Sequence, residues 1–102
     1  MWHEACGVDE AEDGASVFVD GEHVAVFVID GEPYAVSDTC THAGASLSDG
    51  GVRDRVVRCP RHGAPFDLRT GEALGYPASE AVEVYETRAE DGVVYVRVNG
   101  AR

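Results

Sequence analysis

The chain has 102 residues, 44% hydrophobic and 26% charged, which is the composition of one small globular domain rather than of a disordered segment. Nineteen acidic residues face eight basic ones, all arginine, for a net charge of −11. That balance excludes nucleic acid as a partner for want of a basic footprint, and no apolar run is long enough to span a membrane.

Charge of this size favours a monomer through self-repulsion and suits encounter with basic patches on protein partners. It also reads as an ordinary solvated acidic surface. The N-terminal "MWHEACGVDEAEDG" is acidic and poor in apolar residues, unlike an export leader, so a cytoplasmic location is expected. Within it, "DEAED" has room for a single helical turn. Next, "SVFVDGEHVAVFVIDGEPYAVSD" predicts three strands, at 16–19, 23–29 and 33–37, broken by Asp20-Gly21 and Asp30-Gly31. Asp-Gly pairs favour two-residue hairpins. "RDRVVRC" predicts one strand, "APFDL" a short one, and Arg69–Gly71 a turn. A last hairpin, 82–88 with 93–98, surrounds Asp91-Gly92. The fold class expected is all-β, an antiparallel sandwich or barrel-like pair of sheets. A small subdomain from about residue 40 to 71 is inserted into it, and the whole forms one domain over 1–102.

The inserted segment carries the chemistry. It reads "CTHAGASLSDGGVRDRVVRCPRHGAPFDLRTG", with Cys40-x-His42, sixteen intervening residues, and Cys59-x-x-His62. Both loops are rich in glycine, which permits tight turns and close backbone approach. Two thiolates and two imidazoles suit zinc or an iron–sulfur cluster. The third cysteine, Cys6, stands apart. An odd cysteine count without an export signal argues against a disulfide framework.

These two loops resemble the cluster-binding loops of Rieske proteins, and the whole chain resembles the soluble Rieske-type ferredoxins of bacterial ring-hydroxylating dioxygenases. The resemblance implies a Rieske [2Fe–2S] cluster with Cys40 and Cys59 on one iron and His42 and His62 on the other. It implies backbone amides from 43–45 and 62–64 donating to the sulfurs, Leu47 and Phe66 packing against the cluster, and Pro77 in a third loop. Asp67 matches the family's Phe-Asp pair. The expected role is a one-electron carrier without catalytic activity of its own, taking electrons from a flavin-dependent reductase and passing them to a terminal oxygenase. Respiratory Rieske proteins carry two further cysteines, at positions that here are Ala45 and Arg61, and a serine and tyrosine where this chain has Ala64 and Phe66. Missing hydroxyl donors make reduction harder, so a potential near about −150 mV is expected, against about +300 mV at the top of the range.

Three other readings stand beside this one. The chain would also serve as a small regulatory or structural subunit of a larger oxidoreductase, such as the Rieske-like small subunit of nitrite reductase, and the four ligands would serve a zinc-binding interaction module. A Cys59/His62 nucleophilic pair lacks an orienting third group. Cys6 reads as a small structural residue, Trp2 as closing an edge of the core, and His3 and His23 as strand or surface histidines. Arg53, Arg55, Arg58 and Arg61 read as balancing the acidic surface, and Arg61, between Cys59 and His62, also reads as a charge that affects potential and docking.

Overall fold

The computed structural model describes residues 2–39, 45–61, 63–76 and 80–98. Among the described residues there are nine strands: β1 His3–Gly7, β2 Ala15–Val19, β3 Glu22–Ile29, β4 Glu32–Ser37, β5 Val52–Arg53, β6 Val56–Arg58, β7 Pro65–Asp67, β8 Val84–Glu90 and β9 Val93–Arg97. Short 3-10 turns cover Val8–Ala11 and Leu47–Asp49. A six-stranded antiparallel sheet runs in the order β1-β9-β8-β4-β3-β2, and β5-β6-β7 form a separate three-stranded sheet. The outer strands β1 and β2 approach each other, so the large sheet curls back on itself.

Alternation along β3 explains how the two sheets share material. Successive side chains of a strand point to opposite faces. Val24, Val26 and Val28 enter one cluster with Ala35, Tyr85, Val94 and Val96, inside the curl. Ala25 and Phe27 enter another with Val36, Leu47, Val57, Cys59, Phe66 and Leu68, where the small sheet packs on the large one. Fully burying such side chains stabilises by about 1.5–3 kcal/mol each, so this strand is the shared wall of both cores.

The three Asp-Gly turns have the expected form. Asp20, Asp30 and Asp91 have φ of 48°, 53° and 52°, and the glycines following them have φ of 83°, 80° and 79°, the left-handed pair a type I′ hairpin needs. A fourth such turn was not expected. The segment read as one strand, "RDRVVRC", is a hairpin in which Asp54 and Arg55 take φ of 52° and 62°. No glycine marks it. Arg55 is held there by contacts across the molecule: its Nε donates to the Tyr34 hydroxyl at 2.8 Å, and its guanidinium lies 3.7 Å from Asp30 and 3.5 Å from Glu32. One more expectation is corrected. Trp2 lies against Arg88 and Arg97, whose guanidinium carbons are 5.6 and 4.9 Å from its ring, rather than closing the core. Cys6 is half-buried beside the inner cluster. Burial, and secondly the Glu10 carboxylate, pushes its thiol up, which agrees with a structural role.

Candidate metal centre

The two loops that hold the four expected ligands are built from short, firmly closed bases. The first opens after β4. Thr39 bridges Ser46, so the chain leaves and returns at nearly one point, and the Leu47 amide donates to the Asp38 carbonyl at 2.7 Å. Asp38 is only 4% exposed, and its carboxylate accepts from the Ser48 amide and the Ser16 hydroxyl, both at 2.8 Å. Its own amide donates to the His23 carbonyl at 2.9 Å. A buried carboxylate is tolerable only with such partners. Sequence reasoning missed Asp38, because its partners are scattered along the chain and no periodicity points to it.

The second loop follows β6. Cys59 is 2% exposed, and its amide donates to the Ala64 carbonyl at 2.9 Å while its carbonyl accepts from the Gly63 amide at 2.8 Å. The turn between them requires a left-handed residue, which Gly63 supplies at φ 74°. The Gly63 amide, expected to face a sulfur, is thus engaged in closing the loop. Arg58 reaches over the same turn, its guanidinium donating to the Gly63 carbonyl at 3.2 Å. Arg61 is exposed. Leu47, Ala64 and Phe66 are fully buried in the cluster that contains Cys59, with Ala45 packed against it. Both loop bases therefore meet in one hydrophobic region. An open groove of about 890 Å³ runs beside them, lined by Gly50, Arg58, Cys59, Pro65 and Leu74 among others.

Cys40, His42 and His62 lie outside the described residues, as do 43–44 and Pro77. Of the four expected ligands the structure therefore places Cys59. What surrounds it fits an iron–sulfur group: a buried thiol at the mouth of a closed turn, small alanines beside it, and Leu47 and Phe66 excluding water.

Asp67 secures the end of the second loop. Its carboxylate accepts from the Arg69 amide at 2.8 Å, its carbonyl accepts from Gly71 at 2.7 Å, and its amide donates to the Glu72 carbonyl at 2.9 Å. The Arg69 backbone N–H above all holds this carboxyl below the ordinary value of 3.8; burial opposes it as the next largest effect, and the Arg69 side chain adds a smaller lowering. A depressed folded-state pKa contributes stability that is fully present above the unfolded pKa and is lost as pH falls through the folded one. Asp67→Asn, which keeps an acceptor but removes the charge, is expected to cost about 1 kcal/mol at pH 7. In urea titrations the gap from wild type should close toward pH 3. A gap that is constant with pH would show that the charge is immaterial.

The decisive comparison is with family models: residues 1–86 match that of the Rieske [2Fe-2S] domain. The chain belongs to this family. The cofactor is a Rieske-type [2Fe–2S] cluster, and the all-β architecture with its added small sheet is the Rieske fold. Among relatives of this Rieske domain, the 3-phenylpropionate/cinnamic acid dioxygenase ferredoxin subunit of Photorhabdus laumondii is 42% identical over 96 residues, 92% of this chain and 91% of that one. A chain from the complex of reduced oxygenase and oxidised ferredoxin in carbazole 1,9a-dioxygenase is 34% identical with a TM-score of 0.84, covering 93% of this chain and 91% of its own. A chain described as the small subunit of an NADH-dependent nitrite reductase from Mycobacterium tuberculosis is also 34% identical. Its TM-score is 0.85 and the coverage 96% of both chains. Among the described residues no helix is long and apolar enough to cross a membrane.

Proposed function

We infer that this Rieske protein is the one-electron carrier of a multicomponent oxygenase system. The observation that carries the reading is end-to-end similarity to a ferredoxin subunit, covering 92% of this chain and 91% of the relative. Its role is electron transfer rather than catalysis. The cluster supplies one reversible electron when bound. The chain's own residues hold it, keep water away and set how readily it accepts charge.

Cys40 and Cys59 bind one iron and His42 and His62 the other, the ligation of Rieske centres. Support comes from the Cys59 environment and from the spacing of the other three residues. Burial of Cys59 with Leu47 and Phe66 keeps the thiolate side dry. Ala64 and Phe66 offer no hydroxyl, which favours a potential near the bottom of the Rieske range, about −150 mV. The acceptor is a terminal oxygenase, as the carbazole system's ferredoxin–oxygenase complex supports, and the donor is a flavin-dependent reductase. The protein works as a monomer in the cytoplasm.

The purified protein should be brown, contain iron and sulfide in equal amounts, and give a Rieske-type EPR signal after dithionite reduction. Cys59→Ala should abolish the signal and the bound iron. A colourless wild-type protein holding zinc would overturn the carrier reading. A Cys59→Ala protein with full iron content would remove Cys59 from the ligand set.

The nitrite reductase neighbour supports a second reading, a fixed small subunit of a larger oxidoreductase. Copurification with a sirohaem enzyme, instead of an oxygenase, would favour it.

A further inference from the structure

The turn between Cys59 and Ala64 leaves one buried polar group that the described chain does not satisfy. The Gly63 amide donates to the Cys59 carbonyl, and the Ala64 carbonyl accepts from the Cys59 amide. The Ala64 amide has no acceptor among the described residues, although Ala64 is fully buried beside Cys59. Buried backbone N–H groups are almost always hydrogen-bonded. A sulfur of the iron–sulfur cluster is an acceptor of the right kind for this position.

The other edge of the same peptide unit is held from outside. A trans peptide is planar, with its C=O and N–H on opposite edges. The Gly63 carbonyl accepts from the Arg58 guanidinium at 3.2 Å, so the Ala64 N–H points away from that exposed side chain and into the buried side of the turn. The tether matters because Gly63, at φ 74°, has no Cβ to stop the unit from swinging. Arg58 itself starts from a fixed point. Its amide donates to the Gly51 carbonyl at 3.0 Å, and it lies opposite Pro65 in the β6–β7 ladder. Nothing diverts its charge either. Arg55, Arg69, Arg88 and Arg97 each pair with a carboxylate, whereas among the described residues none pairs with Arg58. Arg53 is exposed in the same groove, but its side chain makes no hydrogen bond or ion pair among the described residues.

We propose that Arg58 is a positioning residue for electron uptake: by fixing the Gly63 carbonyl it holds the Ala64 N–H toward the metal centre, where that donor favours the reduced state. A charge-assisted bond to the carbonyl also polarises the peptide and strengthens its N–H as a donor. Reduction adds one electron, and so one negative charge, to the centre, and a donor aimed at that charge makes uptake easier. Arg58 binds no iron and moves no proton. The inference rests on the reading of Cys59 and His62 as ligands.

Arg58→Met keeps the apolar stem and removes the donor. Protein-film voltammetry should show the equilibrium constant for one-electron reduction falling about threefold, which is about 30 mV at about 59 mV per tenfold, with iron content unchanged. The fall should persist from about 0.01 M to about 1 M salt, because the higher concentration screens a surface charge within about 3 Å but does not reorient a peptide. Arg58→Lys, which keeps a cationic donor of similar reach, should recover at least half of the fall. Arg53→Met removes the same charge from the same groove and should shift the potential less, and only at low salt. An unmoved potential in Arg58→Met, a shift that vanishes at high salt, or an equal shift in Arg53→Met would overturn the proposal. So would loss of iron from Arg58→Met, since a residue that only orients one peptide is not needed to assemble the centre. Wild-type protein without a Rieske EPR signal would sink the ligand reading itself, whereas a normal signal with unmoved potentials sinks only the role of Arg58.

Discussion

Gly50→Ala is expected to destabilise the protein by more than about 3 kcal/mol and to empty the metal centre, whereas Gly51→Ala is expected to change stability by less than about 0.5 kcal/mol. The two glycines are adjacent and look alike in sequence. The backbone at Gly50 has an ordinary φ of −87°, so torsion does not demand glycine there. Space does. A Cβ at Gly50 would sit 1.9 Å from the Arg58 carbonyl oxygen, 3.0 Å from its carbon and 3.2 Å from the Leu47 carbonyl oxygen. All three are backbone atoms, so no side chain can rotate out of the way. Arg58 is bound into the small sheet and immediately precedes Cys59, while its amide donates to the Gly51 carbonyl at 3.0 Å. Relieving the clash would shift the strand that delivers the cysteine. At Gly51 a Cβ would meet nothing within 4 Å. Thermal melting and iron content per chain measure both effects. A Gly50→Ala protein that melts with wild type and retains its iron would mean that the close approach is relaxed in solution.

The second large effect is on potential. Ala64→Ser combined with Phe66→Tyr is expected to raise the midpoint potential by on the order of 100 mV, within a Rieske span of about 450 mV. Both positions are fully buried in the cluster with Cys59. A hydroxyl added there either finds an acceptor or costs about 1–3 kcal/mol as a buried unsatisfied group. The two possibilities separate cleanly. If the hydroxyls meet cluster sulfurs, voltammetry shows a higher potential and chemical denaturation shows little loss. If they do not, the potential stays flat and stability falls, and the proposal that missing donors set a low potential would fail.

Much of the scaffold was legible because its signals are local. The Asp-Gly pairs mark hairpins by demanding two left-handed residues, and the valine-rich runs between them alternate with period two. The Asp54-Arg55 turn was not legible, since an arginine with φ of 62° is held by Tyr34, Asp30 and Glu32 from another part of the chain. Strand β1 was missed for a similar reason: "HEACG" has weak alternation, and its place is set by pairing with β9. At the metal centre, the residue types and their spacing named four ligands, of which Cys59 is the one that the described residues include. Asp38 and Gly50 could not be found that way. One is defined by hydrogen bonds to distant residues and the other by a carbonyl eight positions on.

The double use of β3 has a consequence for how the molecule comes apart. Its odd-numbered residues Ala25 and Phe27 belong to the region beneath the metal loops, and its even-numbered valines belong to the interior of the curled sheet. There is no seam between a redox half and a scaffolding half along which one could melt while the other persists. Damage that loosens the strand is felt on both faces at once, so the protein's ability to hold iron and its resistance to proteolysis should be lost together.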